Sequence, residues 1–130
     1  MKAYTDLEQS HKLAEILPLE SADMYYCYGM NIDTKIWSFD DTPTIIDADN
    51  QVDVDDIPCW SLAALSEFIL PYIADDDGNN YKFYLSKDDI DRWIAYYKSD
   101  DVSIYICEES DNMIDVILEM VCWLKKEEYI

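Results

Sequence analysis

Glycine, histidine and basic side chains are the scarce materials of this chain. Two glycines in 130 residues leave nothing from which to build a Gly-rich loop around a phosphate. With four prolines, they also argue against a low-complexity sequence. His11 is the single histidine, and the four cysteines, Cys27, Cys59, Cys107 and Cys122, form no C-x-x-C pair. The close ligand pairs of a zinc site are therefore missing. No serine-triad arrangement is visible. No apolar run reaches the length that spans a bilayer, and Met1-Lys2-Ala3-Tyr4-Thr5-Asp6 lacks the apolar core of a signal peptide. Nine bases stand against 29 acids, a net charge of −20. That balance excludes nucleic-acid binding through phosphates, which needs a basic surface, and disfavours anionic membranes. The expectation is a soluble protein of the cytosol, with no cofactor and no resident metal, whose cysteines are reduced thiols packed as small hydrophobes.

What is present is a foldable chain. Half of the residues are hydrophobic, which excludes general disorder despite the charge. The length fits one domain over residues 1–130, large enough to bury a core without staples. Eleven tyrosines and four tryptophans suit half-buried sheet faces and binding surfaces, because each ring packs while its polar tip stays bonded or wet.

Thr5-Asp6-Leu7-Glu8 has the spacing of a capping box and predicts a helix from about Asp6 to Ile16, stopped by Pro18. Two β-prone runs, 23–29 and Lys35–Phe39, predict a hairpin that turns between Gly29 and Thr34. Asp40 to Asp56 reads as an acidic loop with one short β-prone island, Thr44-Ile45-Ile46. From Asp33 to Asp56 there are eight acids and one base, Lys35. The most apolar stretch, residues 55–73, follows. Pro58 fits a helix entry, Leu62, Leu65, Phe68 and Ile69 fall on one helical face, and Pro71 ends it, so a helix over about 60–70 is expected. Asp75-Asp76-Asp77-Gly78-Asn79-Asn80 is a turn before a strand at Tyr81–Leu85. Residues 87–98 are read as strand rather than helix, joined by a turn at Ser99-Asp100-Asp101 to a strand at Val102–Cys107. The last helix has Ser110 as its cap, Asp111 in its first turn, and Met113, Ile117, Met120, Val121 and Leu124 as a buried stripe. Lys125 and Lys126 lie at its negative end. The order α-β-β-α-β-β-β-α makes an α+β protein: an antiparallel sheet of about five strands with three helices, the helices covering one face.

Several constellations suggest chemistry, each with a plainer reading beside it. The runs Asp75–Asn80 and Asp47–Asp53 resemble half of a calcium loop, but the full twelve-residue pattern fails and a solvated acidic turn accounts for them. Cys59 beside Trp60, at an expected helix start, is the best nucleophile candidate. It has no base, since His11 lies on an exposed-looking part of the first helix, and a buried structural thiol is the plainer reading. Asp88, Asp89 and Asp91 near Arg92, and Glu108 with Glu109, are possible acid–base pairs, but in so acidic a chain chance adjacency explains them. No catalytic residue is assigned, and no enzyme is expected.

Four segments carry a resemblance: Glu8-Gln9-Ser10, Glu20-Ser21-Ala22-Asp23-Met24, Asp56-Ile57-Pro58-Cys59-Trp60-Ser61-Leu62, and Glu119-Met120 with Trp123-Leu124-Lys125. Together they resemble a group of small uncharacterised proteins encoded on phages, prophages and conjugative elements of gut bacteria. The resemblance implies a mobile-element origin, a place in the host bacterial cytoplasm and an accessory or counter-defence role. It transfers no catalytic or binding residue.

The acid itself is the feature of most functional weight. A surface of carboxylates imitates nucleic-acid phosphates and complements a basic channel in another protein, with Tyr and Trp as anchors. The expected function is a non-enzymatic acidic protein-binding protein, acting as a nucleic-acid-mimicking inhibitor of a host defence protein. Its partner would be a basic protein, such as a nucleic-acid-binding defence effector. The expected contacts are Asp40, Asp41, Asp47, Asp49, Asp53, Asp55 and Asp56, with Asp75, Asp76 and Asp77 next. Two alternatives stand: a small enzyme or ligand-binding domain with a pocket beside the 60–70 helix, and a structural or assembly subunit whose acid serves solubility.

Overall fold

The computed structural model describes residues 3–100 and 104–130. It is α+β, with three helices and antiparallel strands in three sheets. The chain groups into two compact units, Ala3–Ala64 and Leu65–Ile130.

The first unit opens with α1 (Leu7–Ala14). Its capping box is one residue later than the spacing predicts. Asp6 Oδ1 accepts from Gln9 N at 2.8 Å, and Gln9 Oε1 accepts from Asp6 N at 3.0 Å. Thr5 is instead fully buried, and its hydroxyl is taken up by other buried polar groups. It lies 2.7 Å from Ser10 Oγ and accepts from Trp60 N at 3.2 Å, while Tyr26 Oη donates to the Thr5 carbonyl at 2.8 Å. A single 3₁₀ turn (Leu19–Ser21) follows Pro18.

Five short strands come next: β1 (Met24–Tyr26), β2 (Tyr28–Met30), β3 (Trp37–Phe39), β4 (Thr44–Ile45) and β5 (Ile57–Cys59). The run expected as one strand over 23–29 breaks at Cys27 into β1 and β2, and only β2 joins the expected hairpin with β3, pairing Tyr28 with Phe39 and Met30 with Trp37, so Gly29 and Met30 are strand and not turn. A second sheet has the order β4-β1-β5. Pro58, expected at a helix entry, belongs to β5. It is tolerated there because β5 is an edge strand, and an edge position leaves room for a residue with no N–H to donate. Tyr26, Ile57 and Cys59 form the centre of a core that Leu7, Met24 and Phe39 extend.

The expected 60–70 helix is reduced to α2 (Leu62–Ser66). Ser61 caps it, with Oγ accepting from Ala64 N at 3.1 Å, and Asp23 holds Ser61 by accepting from its backbone N–H at 2.9 Å. After Leu65 the chain tightens into i to i−3 bonds, Phe68 to Leu65 and Ile69 to Ser66. Pro71 then biases Leu70 toward an extended conformation, and the next residues become a strand.

The second unit is a meander, β6 (Tyr72–Ala74), β7 (Asn80–Lys87), β8 (Trp93–Lys98) and β9 (Ile104–Ser110), followed by α3 (Met113–Lys126). The strands pair in sequence order, all antiparallel. Of residues 87–98, expected as strand, Lys87 ends β7 and 93–98 form β8, while residues 88–92 are the turn between them. Of the expected Val102–Cys107 strand and its turn, Asp101, Val102 and Ser103 lie outside the described residues. Gly78 takes φ +84° in the β6–β7 turn, where a glycine is needed. The α3 N-cap is Asn112, not Ser110, which ends β9. Asp115, not Asp111, is the acid of its first turn. Val116, Met120 and Leu124 pack against Ile73, Tyr81, Ala95 and Tyr97. Ile117 and Val121 are buried as expected, and Ile114, Val116 and Leu118 are buried besides, so the apolar stripe is wider than the five expected residues, of which Met113 is only half-buried.

Candidate functional site

Of the ten aspartates expected to meet a partner, Asp40, Asp41, Asp47, Asp49, Asp53 and Asp55 belong to the first unit and are exposed. Asp56 is half-buried and partly structural: Oδ1 accepts from Tyr28 N at 2.9 Å and Oδ2 from Asp53 N at 2.8 Å. Those two bonds tie the loop over 53–56 to the start of β2. Asp47 Oδ1 accepts from Asp49 N at 2.8 Å and Asn50 N at 2.9 Å, which closes a local turn. Among the described residues, no ion pair involves any of these seven acids. Their field reaches inward. Burial, then Asp56, Asp40 and Asp53, raise the Cys27 thiol above its ordinary value. Burial is also the main cause at Tyr25, with Asp56, Asp53 and Asp47 among the charges that add to it.

Asp75, Asp76 and Asp77 belong to the second unit. Asp75 is turn architecture. Its carboxylate accepts from the backbone of Asp77 and Asn79, from Asn79 Nδ2 at 3.1 Å and from Tyr81 Oη at 2.9 Å. The Asn79 side-chain bond leads the causes that hold its carboxyl below the usual range. No group of three or more His, Cys, Asp or Glu among the described residues could hold a metal ion. The acids near Arg92 are architectural as well. Asp88 Oδ1 accepts from Ile90 N and Arg92 N, and Arg92 lies 3.4 Å from Glu109 and 3.7 Å from Asp111.

Cys59 lacks the exposed, thiolate-favouring setting of a reactive cysteine. It is fully buried in the first unit's core, inside the Thr5–Ser10–Trp60 network, with Sγ donating to the Thr5 carbonyl at 3.4 Å. Burial raises its thiol above the ordinary value, the wrong direction for a reactive cysteine. It begins no helix: it ends β5, and Trp60 and Ser61 separate it from α2.

Two features of the first unit escape a reading of the sequence. One is a groove of about 470 Å³. Its apolar wall is Leu19, Ala22, Ile46, Val52, Val54 and Pro58, drawn from the 3₁₀ turn and the residue after it, the residue after β4, the loop before β5 and β5 itself. Glu20, Asp53 and Asp56 are its charged members, and no base lines it. It does not involve Cys59 or the α2 residues, so the pocket expected beside the 60–70 helix is not where this concavity lies. The other is a set of large apolar side chains left in solvent along the acidic segment: Ile32, Ile36, Trp37, Ile45 and Val54, with Val54 99% and Ile32 85% exposed. For Val54 the signal was the alternation Val52-Asp53-Val54-Asp55.

No protein family, curated protein or solved structure gives a significant match to this chain. Among the described residues, no helix is long and apolar enough to cross a membrane.

Proposed function

We propose that this chain is a non-enzymatic protein-binding protein that docks on a basic partner through its first unit. The observation that carries the reading is the coincidence, in Ala3–Ala64, of exposed unpaired aspartates with exposed large apolar side chains. Charge alone argues for solubility as much as for a partner. Apolar side chains held in water between the charges add contact energy that charge does not explain. Carboxylates supply complementarity to a lysine- or arginine-rich surface and speed encounter. A surface of this kind imitates nucleic acid, so the partner class is a nucleic-acid-binding protein. The resemblance to phage and mobile-element proteins supports a host defence effector in the bacterial cytoplasm as that partner, with inhibition by occupying its nucleic-acid channel.

A ligand-binding role finds support in the groove, whose volume is within the range of about 300–1,000 Å³ typical of small-molecule sites. Its wall includes Val54, almost wholly exposed, so the groove opens broadly and suits a segment of another protein better than an enclosed metabolite.

The test is a pull-down from bacterial lysate with the full chain, at low and high salt and with added duplex DNA. The expected partners are basic, are released as salt rises, and are displaced by the DNA. Retention of a partner regardless of salt, or recovery of none, overturns the proposal.

A further inference from the structure

We infer that the groove of the first unit seats one aliphatic or aromatic side chain of a partner segment that carries lysine or arginine on either side of it. The inference rests on the protein-binding reading above and names the part of the partner that enters. Three observations meet at the groove. Its wall is apolar, built from Val52 and Pro58 on the β5 side together with Leu19 of the 3₁₀ turn and Ile46 beyond β4. All of its charged lining, Glu20, Asp53 and Asp56, is of one sign. And Asp56 is not a free-swinging surface acid: two backbone N–H groups, those of Tyr28 and Asp53, fix its carboxylate at 2.9 and 2.8 Å. Each carboxylate oxygen still has a lone pair for an incoming cation.

Complementarity selects among guests. An anionic segment meets three carboxylates on a protein of net charge −20 and is repelled. A neutral apolar segment fills the wall but partly desolvates Glu20, Asp53 and Asp56 without pairing them, which costs binding energy. A cationic segment without an apolar residue satisfies the acids and leaves the wall wet. Only the combined segment does both. The stems of lysine and arginine lie along apolar surface while their heads reach outward to carboxylates, so the flanking residues suit the edges of such a groove. The exposure of Leu19, at 55%, and of Val54 leaves both ready to be covered by a partner rather than by this chain.

The experiment is fluorescence anisotropy of the full chain with three labelled peptides at low salt. The first has a central leucine flanked by lysines; the second has serine for the leucine; the third has glutamine for the lysines. The first should bind, and the other two should bind about tenfold more weakly or worse. Leu19→Ser with Val54→Ser, both at solvent-exposed positions and so tolerable to the fold, should weaken the first peptide about tenfold and leave the second unchanged. Asp40→Asn with Asp41→Asn, outside the groove, should weaken the two lysine peptides equally. Equal binding of the leucine and serine peptides, or no effect of the Leu19 and Val54 changes, overturns the groove inference while a salt-sensitive acid face survives. Equal binding of the glutamine peptide overturns the cationic requirement. Failure of both lysine peptides to bind removes the inference and the protein-binding reading together. Self-association that Leu19→Ser abolishes reassigns the groove to a second copy and overturns the inference.

Discussion

The two units handle the same excess of acid in different ways. Residues 3–64 hold thirteen acids and only Lys12 and Lys35 against them; residues 65–130 hold sixteen acids and six bases. In the second unit the charges are built into the architecture. Asp75 and Asp88 organise turns, Lys87 pairs with Asp91 at 2.8 Å, and Arg92 reaches Glu109 and Asp111. Lys82 and Lys98 pair across β7 and β8, and both lie 5.7 Å from the centre of the Tyr84 ring. Strands β7, β8 and β9 are six to eight residues long, laid on a fourteen-residue helix. The first unit has strands of two or three residues, and most of its acid lies on the loops between them. The difference teaches where each half gains its stability. The second is held by an extensive apolar interface, the first by a small core and a buried polar network.

The largest expected effect tests the second unit's side of that contrast. Leu124 is fully buried against the meander, and Leu124→Ala should cost about 2–5 kcal/mol. Urea unfolding followed with fluorine-labelled tryptophan separates Trp93 and Trp123 from Trp60. The second unit's signals should move to lower urea while the Trp60 signal persists. Coincident loss of all three would break the comparison by showing one cooperative block.

The next effect tests the first unit. Thr5→Val keeps the shape but removes the hydroxyl that accepts from Trp60 N and meets Ser10 Oγ. Two buried polar groups lose their partner, at a cost of about 1–3 kcal/mol. The Trp60 resonance should report the loss first. An unchanged midpoint would mean that the first unit is held by its apolar contacts alone.

The smallest effect concerns pH. Asp75 is held below the usual carboxylate range by its bond to Asn79 and its neighbours. A depressed acid contributes stability above its unfolded value and loses it as pH falls through its lowered folded value. Asp75→Asn keeps an oxygen for the turn but removes the titration. It should flatten the acid-side decline in the second unit's midpoint, measured by urea unfolding at stepped pH. The same slope in the variant would assign that decline to other acids.

Much of the fold was legible because local rules acted without competition. The β2–β3 hairpin, the strands at 81–85 and 93–98, and α3 all followed from β-formers, turn residues and helical spacing, and in each the local preference agrees with the burial. The misreadings share a cause. Thr5 and Asp6 both fit a capping box, and the choice fell to Asp6 because Thr5 was needed inside. Pro58 fits both a helix entry and an edge strand, and only the place of β5 beside β1 decided. Leu62 to Ile69 has helical spacing, yet α2 stops at Ser66 because Pro71 and the pairing of β6 with β7 claim the residues beyond. The acids were legible as a composition. That Asp56 and Asp75 are structural, while Asp40, Asp41 and Asp55 are free in water, was not, since hydrogen bonds to backbone N–H groups depend on how loops close.

The sequence by itself determined the α+β class, the antiparallel pairing, the uncompensated acid before residue 57, and the want of materials for a phosphate loop or a zinc site. Those follow from residue type and period, which are local properties. The tertiary structure placed Cys59, read from the sequence as a buried thiol, inside the Thr5–Ser10–Trp60 network with its thiol raised. It alone revealed that a groove walled by Leu19, Ile46, Val52, Val54 and Pro58 stands beside Asp53 and Asp56. Burial and concavity come from segments distant in the chain meeting in space, and no window along the sequence contains them.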